Sequence, residues 1–267
     1  MSCEPVSVLR PSEDDRQAGD AQHRKTTDKP EMPEFHVDFE FFGDEGCPGK
    51  TVPVLVVRER LTKMMMAAAV PSKSTGTYIA RRVAAFIEEV GCGQLDITVK
   101  SDQEAAIVSI VEEVGRVRSA TSQGRYVIEH SLVGSSSSNG IVERGIQSVE
   151  QQVRVLKSSP EDRWKIHIPA RHSVVAWLAE YSAFLLNRFE VGRDGKTAYE
   201  RCKGKQARTA GLEFGEAVLW KRKRVGGALG KMTCLWREGV FVGVRGQSGE
   251  IMVSTKDGIF KTRTVQR

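Results

Sequence analysis

From Glu34 onward the apolar residues keep strict time. Phe35, Val37, Phe39 and Phe41 alternate with His36, Asp38, Glu40 and Phe42, and a period of two gives an extended strand with one apolar face. Asp38 therefore falls on the less apolar face. Two further apolar runs, Val52 to Arg58 and Thr62 to Val70, flank the charged turn Arg58-Glu59-Arg60, which predicts an antiparallel run of three strands. Met64, Met65 and Met66 are expected to pack within that sheet. The period then lengthens: Ile79, Val83, Phe86, Ile87 and Val90 recur at helical spacing up to Gly91, a C-terminal stop. Leu95, Ile97 and Val99 alternate again, so Asp102 follows the end of a fourth strand. A helix from about Gln103 to Arg118 and a short strand over Tyr126 to Glu129 complete an order that points to a mixed α/β sheet.

Four serines lead to Asn139, an apt N-cap for a helix whose Val142, Ile146, Val149, Val153 and Leu156 step by four, three, four, three. Glu143, Gln147, Glu150, Arg154 and Lys157 run along one flank of that stripe. A strongly apolar helix is expected over Ser173 to Phe189. After Gly211 the texture shifts to short β-like pieces with glycines: Glu216 to Lys221, Gly239 to Arg245, Glu250 to Thr255 and Ile259 to Val265. These predict a small barrel or meander. The chain thus divides into a disordered leader (1–32), whose polar composition does not offset its ordering entropy, a core (33–208) and a small β-rich module (209–267).

Composition narrows the function classes. The 267 residues carry 40 Lys and Arg against 34 Asp and Glu, a formal charge of +6 that permits a polyanionic partner. Five cysteines at 3, 47, 92, 202 and 234 have no Cys-x-x-Cys pair, which argues against a disulfide framework and a zinc site. No window reaches the roughly 18 apolar residues of a membrane span, so an intracellular soluble protein without a membrane partner is expected.

Three carboxylates stand out: Asp38 in Phe-His-Val-Asp-Phe-Glu, Asp102 in Val-Lys-Ser-Asp-Gln-Glu, and Glu143 in Ser-Ser-Asn-Gly-Ile-Val-Glu-Arg. Each has an ordinary alternative. Asp38 can be a solvated strand residue, Asp102 the N-cap of the helix it precedes, and Glu143 a first-turn acid favoured by the helix dipole. Together, on strand, strand and helix, they have the placement that hard divalent ions need when phosphoryl transfer is to be assisted from both sides.

That order, with Asn-Gly-Ile-Val-Glu-Arg, resembles the catalytic core of retroelement integrases, in particular those of copia-type long-terminal-repeat retrotransposons. The phrases Leu-Leu-Asn-Arg-Phe-Glu-Val-Gly-Arg-Asp-Gly-Lys-Thr-Ala-Tyr-Glu-Arg and Leu-Glu-Phe-Gly-Glu-Ala-Val-Leu are similar to the segment after the core in such polyproteins. The resemblance runs from Glu34 to about Val218 and more weakly to Arg267. It implies a ribonuclease-H-like fold, Asp38, Asp102 and Glu143 as the catalytic and metal-binding triad, and two Mg²⁺ or Mn²⁺ ions. It further implies processing of DNA 3′ ends, joining of retroelement ends to target DNA, a homo-oligomer and a nuclear location, with a cytoplasmic particle before import. Three departures are visible: 40 residues (103 to 142) separate Asp102 from Glu143, a longer gap than is usual, no His/Cys set for a zinc module stands upstream of Asp38, and no protease or polymerase region accompanies the core. The chain has the look of a fragment or stand-alone remnant of a polyprotein. The alternatives are a ribonuclease H acting on RNA–DNA hybrids and a non-catalytic nucleic-acid-binding relic.

Candidate nucleic-acid contacts are Asn139, Arg144, Arg154 and Lys157 on the third helix, and the basic run Lys221, Arg222, Lys223 and Arg224 in the tail. The bland readings are a helix cap for Asn139, a wetted helix flank for the three cations, and an exposed hairpin loop for the basic run. Glu104 is expected to serve the helix start, and the histidines to be structural.

Overall fold

A computed structural model describes residues 32–43, 51–70, 77–130, 136–208, 211–222, 232, 234–246 and 248–267; the expected leader lies outside them, apart from Met32. Strands β1 (Glu34–Phe42), β2 (Val52–Glu59), β3 (Met65–Ala69), β4 (Ile97–Ser101) and β5 (Tyr126–His130) form one sheet in the order β3-β2-β1-β4-β5. The first three are antiparallel, whereas β4 and β5 run parallel to β1. With helices on both faces, this is the ribonuclease-H-like arrangement that the resemblance implies.

The two faces are filled by different helices, and the period of two decides which residues meet which. Phe35, Val37, Phe39, Leu55 and Val57 pack against α1 (Thr77–Val90) and α2 (Ala105–Ser119) through Ile79, Val83, Ile107 and Ile110. Val54 and Val56 pack on the other side against α3 (Ser136–Trp164) and α4 (Ser173–Phe189) through Val142, Ile146 and Leu178. Each fully buried aliphatic side chain contributes roughly 1.5–3 kcal/mol from area removed from water. Asp38, out of phase with Phe35 and Val37, therefore faces the α3 and α4 layer and is half-buried rather than solvated.

The edge strand β3 is closed by a side chain. Asn187 of α4 accepts from the Met65 N–H at 2.9 Å and donates to the Met65 carbonyl at 2.7 Å, standing in for a sixth strand. The phrase after it turns through a Val191–Thr197 bridge into α5 (Ala198–Lys203), whose start is a capping box of Thr197 and Glu200. Arg201 then clamps Asp194 with two hydrogen bonds of 2.8 and 2.6 Å. Much of the resemblance after the core thus has a bracing role.

At the start of β1 a buried ion cluster forms. Glu34 meets His36 at 2.6 Å, Arg60 at 3.0 Å and Lys100 at 3.3 Å. Burial alone would raise the Glu34 carboxyl, but the hydrogen bonds from His36 and Arg60, with the charges of His36 and Lys100, hold it down at about 2. A carboxyl lowered in the folded state stabilises the fold above its ordinary value of 4.5, and that contribution is lost as pH falls toward 2. Denaturant midpoints followed from pH 5 to 2 should therefore fall more steeply for the parent than for Glu34→Gln. Parallel curves would remove Glu34 from the acid transition.

The tail forms a second antiparallel sheet in the order β10-β6-β7-β8-β9, from β6 (Ala217–Lys221), β7 (Trp236–Val244), β8 (Ile251–Thr255), β9 (Gly258–Thr262) and β10 (Val265–Gln266). In a flat sheet β6 and β9 would stand about 14 Å apart at ~4.8 Å per strand. Instead the rings of Trp220 and Phe260 stack with centroids 4.9 Å apart, and the Thr262 hydroxyl donates to the Lys221 carbonyl at 3.0 Å. The sheet curls upon itself, the barrel form of the sequence expectation. It docks on α4 where Trp177, Tyr181 and Phe184 stack in a ladder with 5.7 Å steps. Trp177 donates from its indole to the Val242 carbonyl. Beside that bond Gly243 has φ +125° at a β-bulge, and a Cβ there would lie 3.0 Å from both Trp177 and Tyr181. Only glycine allows that approach.

Candidate active site

Asp38 stands in the middle of the central strand, and the parallel register sets its neighbour. Val37 of β1 pairs with Ser101 of β4, the last residue of that strand. One step further along both chains brings Asp102 alongside Asp38. Asp102 does not cap α2, as its bland reading has it: α2 starts at Ala105 with Glu104 in the N-cap position, and the Glu104 side chain makes no capping bond. Asp102 instead accepts from the Glu104 N–H at 3.1 Å, a short local turn that holds the carboxylate at the strand end.

The electrostatics of Asp38 record the crowding. Its carboxyl is pushed up from 3.8 to about 6 by burial first. A hydrogen bond from the Phe39 N–H, 2.7 Å long, pulls the other way, and the negative charges of Asp102, Glu40 and Glu104 push it up again. Among the described residues neither Asp38 nor Asp102 is in an ion pair. Glu40 and Glu104 were not singled out as parts of the site, although each lies two residues beyond an Asp of the triad, the spacing that returns to the same side of an extended chain.

Glu143 arrives from the third element. Sequence spacing puts it in a first helical turn, but α3 begins at Ser136, so Glu143 lies two turns in, exposed beside the buried Val142. Ser136, Ser137 and Ser138 lie in the helix, which thus begins before Asn139, and Ser135 lies outside the described residues. Val142 shares a core with Val54 and Val56, on the side of the sheet that Asp38 faces, so α3 carries Glu143 in the layer over that side. Among the described residues no three His, Cys, Asp or Glu side chains converge closely enough to enclose one ion. The structure brings Asp38 and Asp102 together and leaves Glu143 on the covering helix.

The remaining candidates fall into different surroundings. Asn139 is not a cap but a residue within α3, buried, with its amide oxygen lacking a hydrogen-bond partner among the described residues. Arg144 is exposed. Arg154 pairs with Glu150 at 3.3 Å and Lys157 with Glu161 at 3.6 Å, each one helical turn away. Lys221 ends β6 and Arg222 follows it, both exposed, whereas Lys223 and Arg224 lie outside the described residues. His172 caps α4 by accepting from the Val174 N–H at 3.2 Å, a structural role.

Arg58 is a residue the sequence reading passed over as part of a turn. The chain turns later, over 60–62, because the Glu59 carboxylate accepts from the Leu61 and Thr62 N–H groups and β2 runs on through Glu59. Arg58 is buried beneath α3 and donates to the Ile141 carbonyl at 3.4 Å. Burial lowers its guanidinium, the charge of Glu190 opposes that, and the charges of Arg144 and Arg201 lower it further.

The strand order and the covering helices give the chain a ribonuclease-H-like α/β fold, with Asp38 in the middle of β1 beside Asp102, which follows the end of β4. No described protein family matches the chain in sequence, and no curated protein does. Among solved structures it is similar to a chain of the simian T-cell lymphotropic virus intasome in complex with PP2A regulatory subunit B56 gamma. There the TM-score is 0.49 at 12% identity, over 88% of this chain and 79% of that one. It is also similar to the HTLV-2 integrase catalytic core domain in complex with magnesium, in a trimeric form, with a TM-score of 0.43 at 12% identity over 64% and 97% of the two chains. The catalytic core domain of BIV integrase gives 0.41 at 15% identity over 63% and 92%.

Proposed function

We propose that the chain is a retrotransposon integrase of the copia type, a metal-dependent polynucleotidyl transferase that trims DNA 3′ ends and joins them to target DNA. The observation that carries this reading is the pair Asp38 and Asp102, side by side where β1 runs parallel to β4, with the charge of Asp102 raising the Asp38 carboxyl and neither in an ion pair among the described residues. Hard carboxylate oxygens so placed fit Mg²⁺ or Mn²⁺; Asp38 and Asp102 would hold the ions, with Glu143 as the third donor from α3. Divalent ions, when bound, stabilise negative charge on the entering and leaving phosphoryl oxygens. The half-buried setting of Asp38 keeps bulk water from screening that charge. Arg144, exposed one residue beyond Glu143, would hold a DNA phosphate. On this reading the chain acts as a homo-oligomer on retroelement ends and target DNA in the nucleus.

Labelled linear DNA incubated with a target plasmid and Mn²⁺ tests it. The parent chain should give joined product, and Glu143→Gln should lose on the order of a thousandfold in rate. Joining by Glu143→Gln at the parent rate, or none by the parent, counts against the assignment. One observation favours a second reading: Glu40 and Glu104 add acidic charge at Asp38, and a fourth carboxylate suits a ribonuclease H. Cleavage of an RNA–DNA hybrid without any joining would select that enzyme.

A further inference from the structure

The curled sheet of the tail holds a cavity of about 770 Å³ walled by Trp164, Trp220 and Phe260. Trp220 and Phe260 stack upon each other, while Trp164 and Phe260 are exposed at 46% and 37% and present ring surface to the opening. The Trp220 indole N–H is sealed from water and has no hydrogen-bond acceptor among the described residues. Gly239 lets β7 pack closely beside that indole: a Cβ there would lie 3.2 Å from the Trp220 ring and overlap Val253.

The rim adds charge. Arg222, Arg237 and Lys256 line the cavity, and none of them forms an ion pair among the described residues. The wider charge distribution agrees. Residues 211–267 hold 11 of the 40 Lys and Arg but only 5 of the 34 Asp and Glu. That excess of 6 is the whole formal charge of the chain, and the first 210 residues balance.

We propose that this cavity binds one unstacked nucleobase of single-stranded DNA. The base would lie against the Trp164 and Phe260 faces, and Arg222, Arg237 and Lys256 would hold the flanking phosphates. Stacking on aromatic rings is sequence-tolerant and discriminates single strands from duplex, whose bases are already stacked. A cationic occupant such as a methylated lysine in a peptide would use the same rings with Glu238 and Asp257, but it would meet three unpaired cations at the rim. The inference shares with the integrase reading only that DNA is the ligand, and it needs neither Asp38 nor a divalent ion.

The test is fluorescence anisotropy of the full chain with a labelled single-stranded 12-mer and with its blunt duplex, in EDTA. The single strand should bind about tenfold more tightly than the duplex. Phe260→Ala should weaken the single strand about five- to tenfold while leaving duplex affinity unchanged. Phe260 is partly exposed, so circular dichroism should show the variant folded. Arg237→Gln should lower the dependence of binding on salt. Equal affinity for duplex, equal losses on both ligands, or tight binding of a trimethyllysine peptide abolished by Phe260→Ala would overturn the proposal. Joining without single-strand preference sinks this site alone, and single-strand preference without joining sinks the integrase reading alone.

Discussion

Asp38→Asn is expected to lose DNA joining on the order of a thousandfold and yet to melt at a higher temperature than the parent in metal-free buffer at pH 7. The two effects have one cause. Burial and the charges of Asp102, Glu40 and Glu104 raise the Asp38 carboxyl from 3.8 to about 6. The folded state therefore binds more protons than the unfolded chain between those values, and stability falls as pH rises through them. Above pH 6 the full penalty applies, at most about 3 kcal/mol. Asparagine removes the charge, keeps an oxygen for the Phe39 N–H and retains the side-chain shape. A gain of roughly 5 °C follows for a chain of this size. At pH 4 the two proteins should melt nearly alike, and Mn²⁺ at neutral pH should narrow the difference by stabilising the parent. A variant that melts below the parent at pH 7 in EDTA would show that Asp38 is compensated in solution and that the pair is not strained.

Arg118→Leu should be the most damaging single change in the core, by about 4 kcal/mol in denaturant unfolding. The guanidinium is buried at the end of α2 and donates to the Gly124 carbonyl at 3.2 Å, to Arg125 at 3.4 Å and to Cys92 and Gly93 at 3.1 Å each, with Leu95 as a fifth acceptor. Those carbonyls belong to the loops that lead into β4 and β5. Leucine fills the stem's volume but leaves the carbonyls without their shared donor, and the loops they belong to set the starts of β4 and β5. The expected signature is a lowered midpoint with joining lost through unfolding rather than chemistry. A loss under 1 kcal/mol would mean that water replaces the guanidinium at little cost.

Periodicity made the sheet and its helices legible. The helix over Ser173–Phe189 and the strand over Glu34–Phe42 have the limits their patterns predict, because a long apolar stripe or a strict alternation tolerates few alternatives. Where partners set the limits, the sequence misled. Leu95 continues the alternation of Ile97 and Val99 but is 49% exposed, and β4 runs instead from Ile97 to Ser101, where β1 and β5 offer hydrogen bonds. The start of α3 was hidden for a related reason: serine runs look like loops, and the Asn139 that looks like a cap is buried in the helix.

By itself the sequence determined which residues alternate, which step at helical spacing, and that two aspartates follow or interrupt strands of an α/β sheet. Those are local properties, fixed by the backbone periods of 2 and 3.6. Only the tertiary structure decided that Asp102 stands beside Asp38, that α3 and α4 cover the face where Asp38 points, and that Trp220 and Phe260 meet across a curled sheet. Each depends on strand register or layer packing between residues distant along the chain, and the carboxyl raised to about 6 is the energetic trace of that meeting.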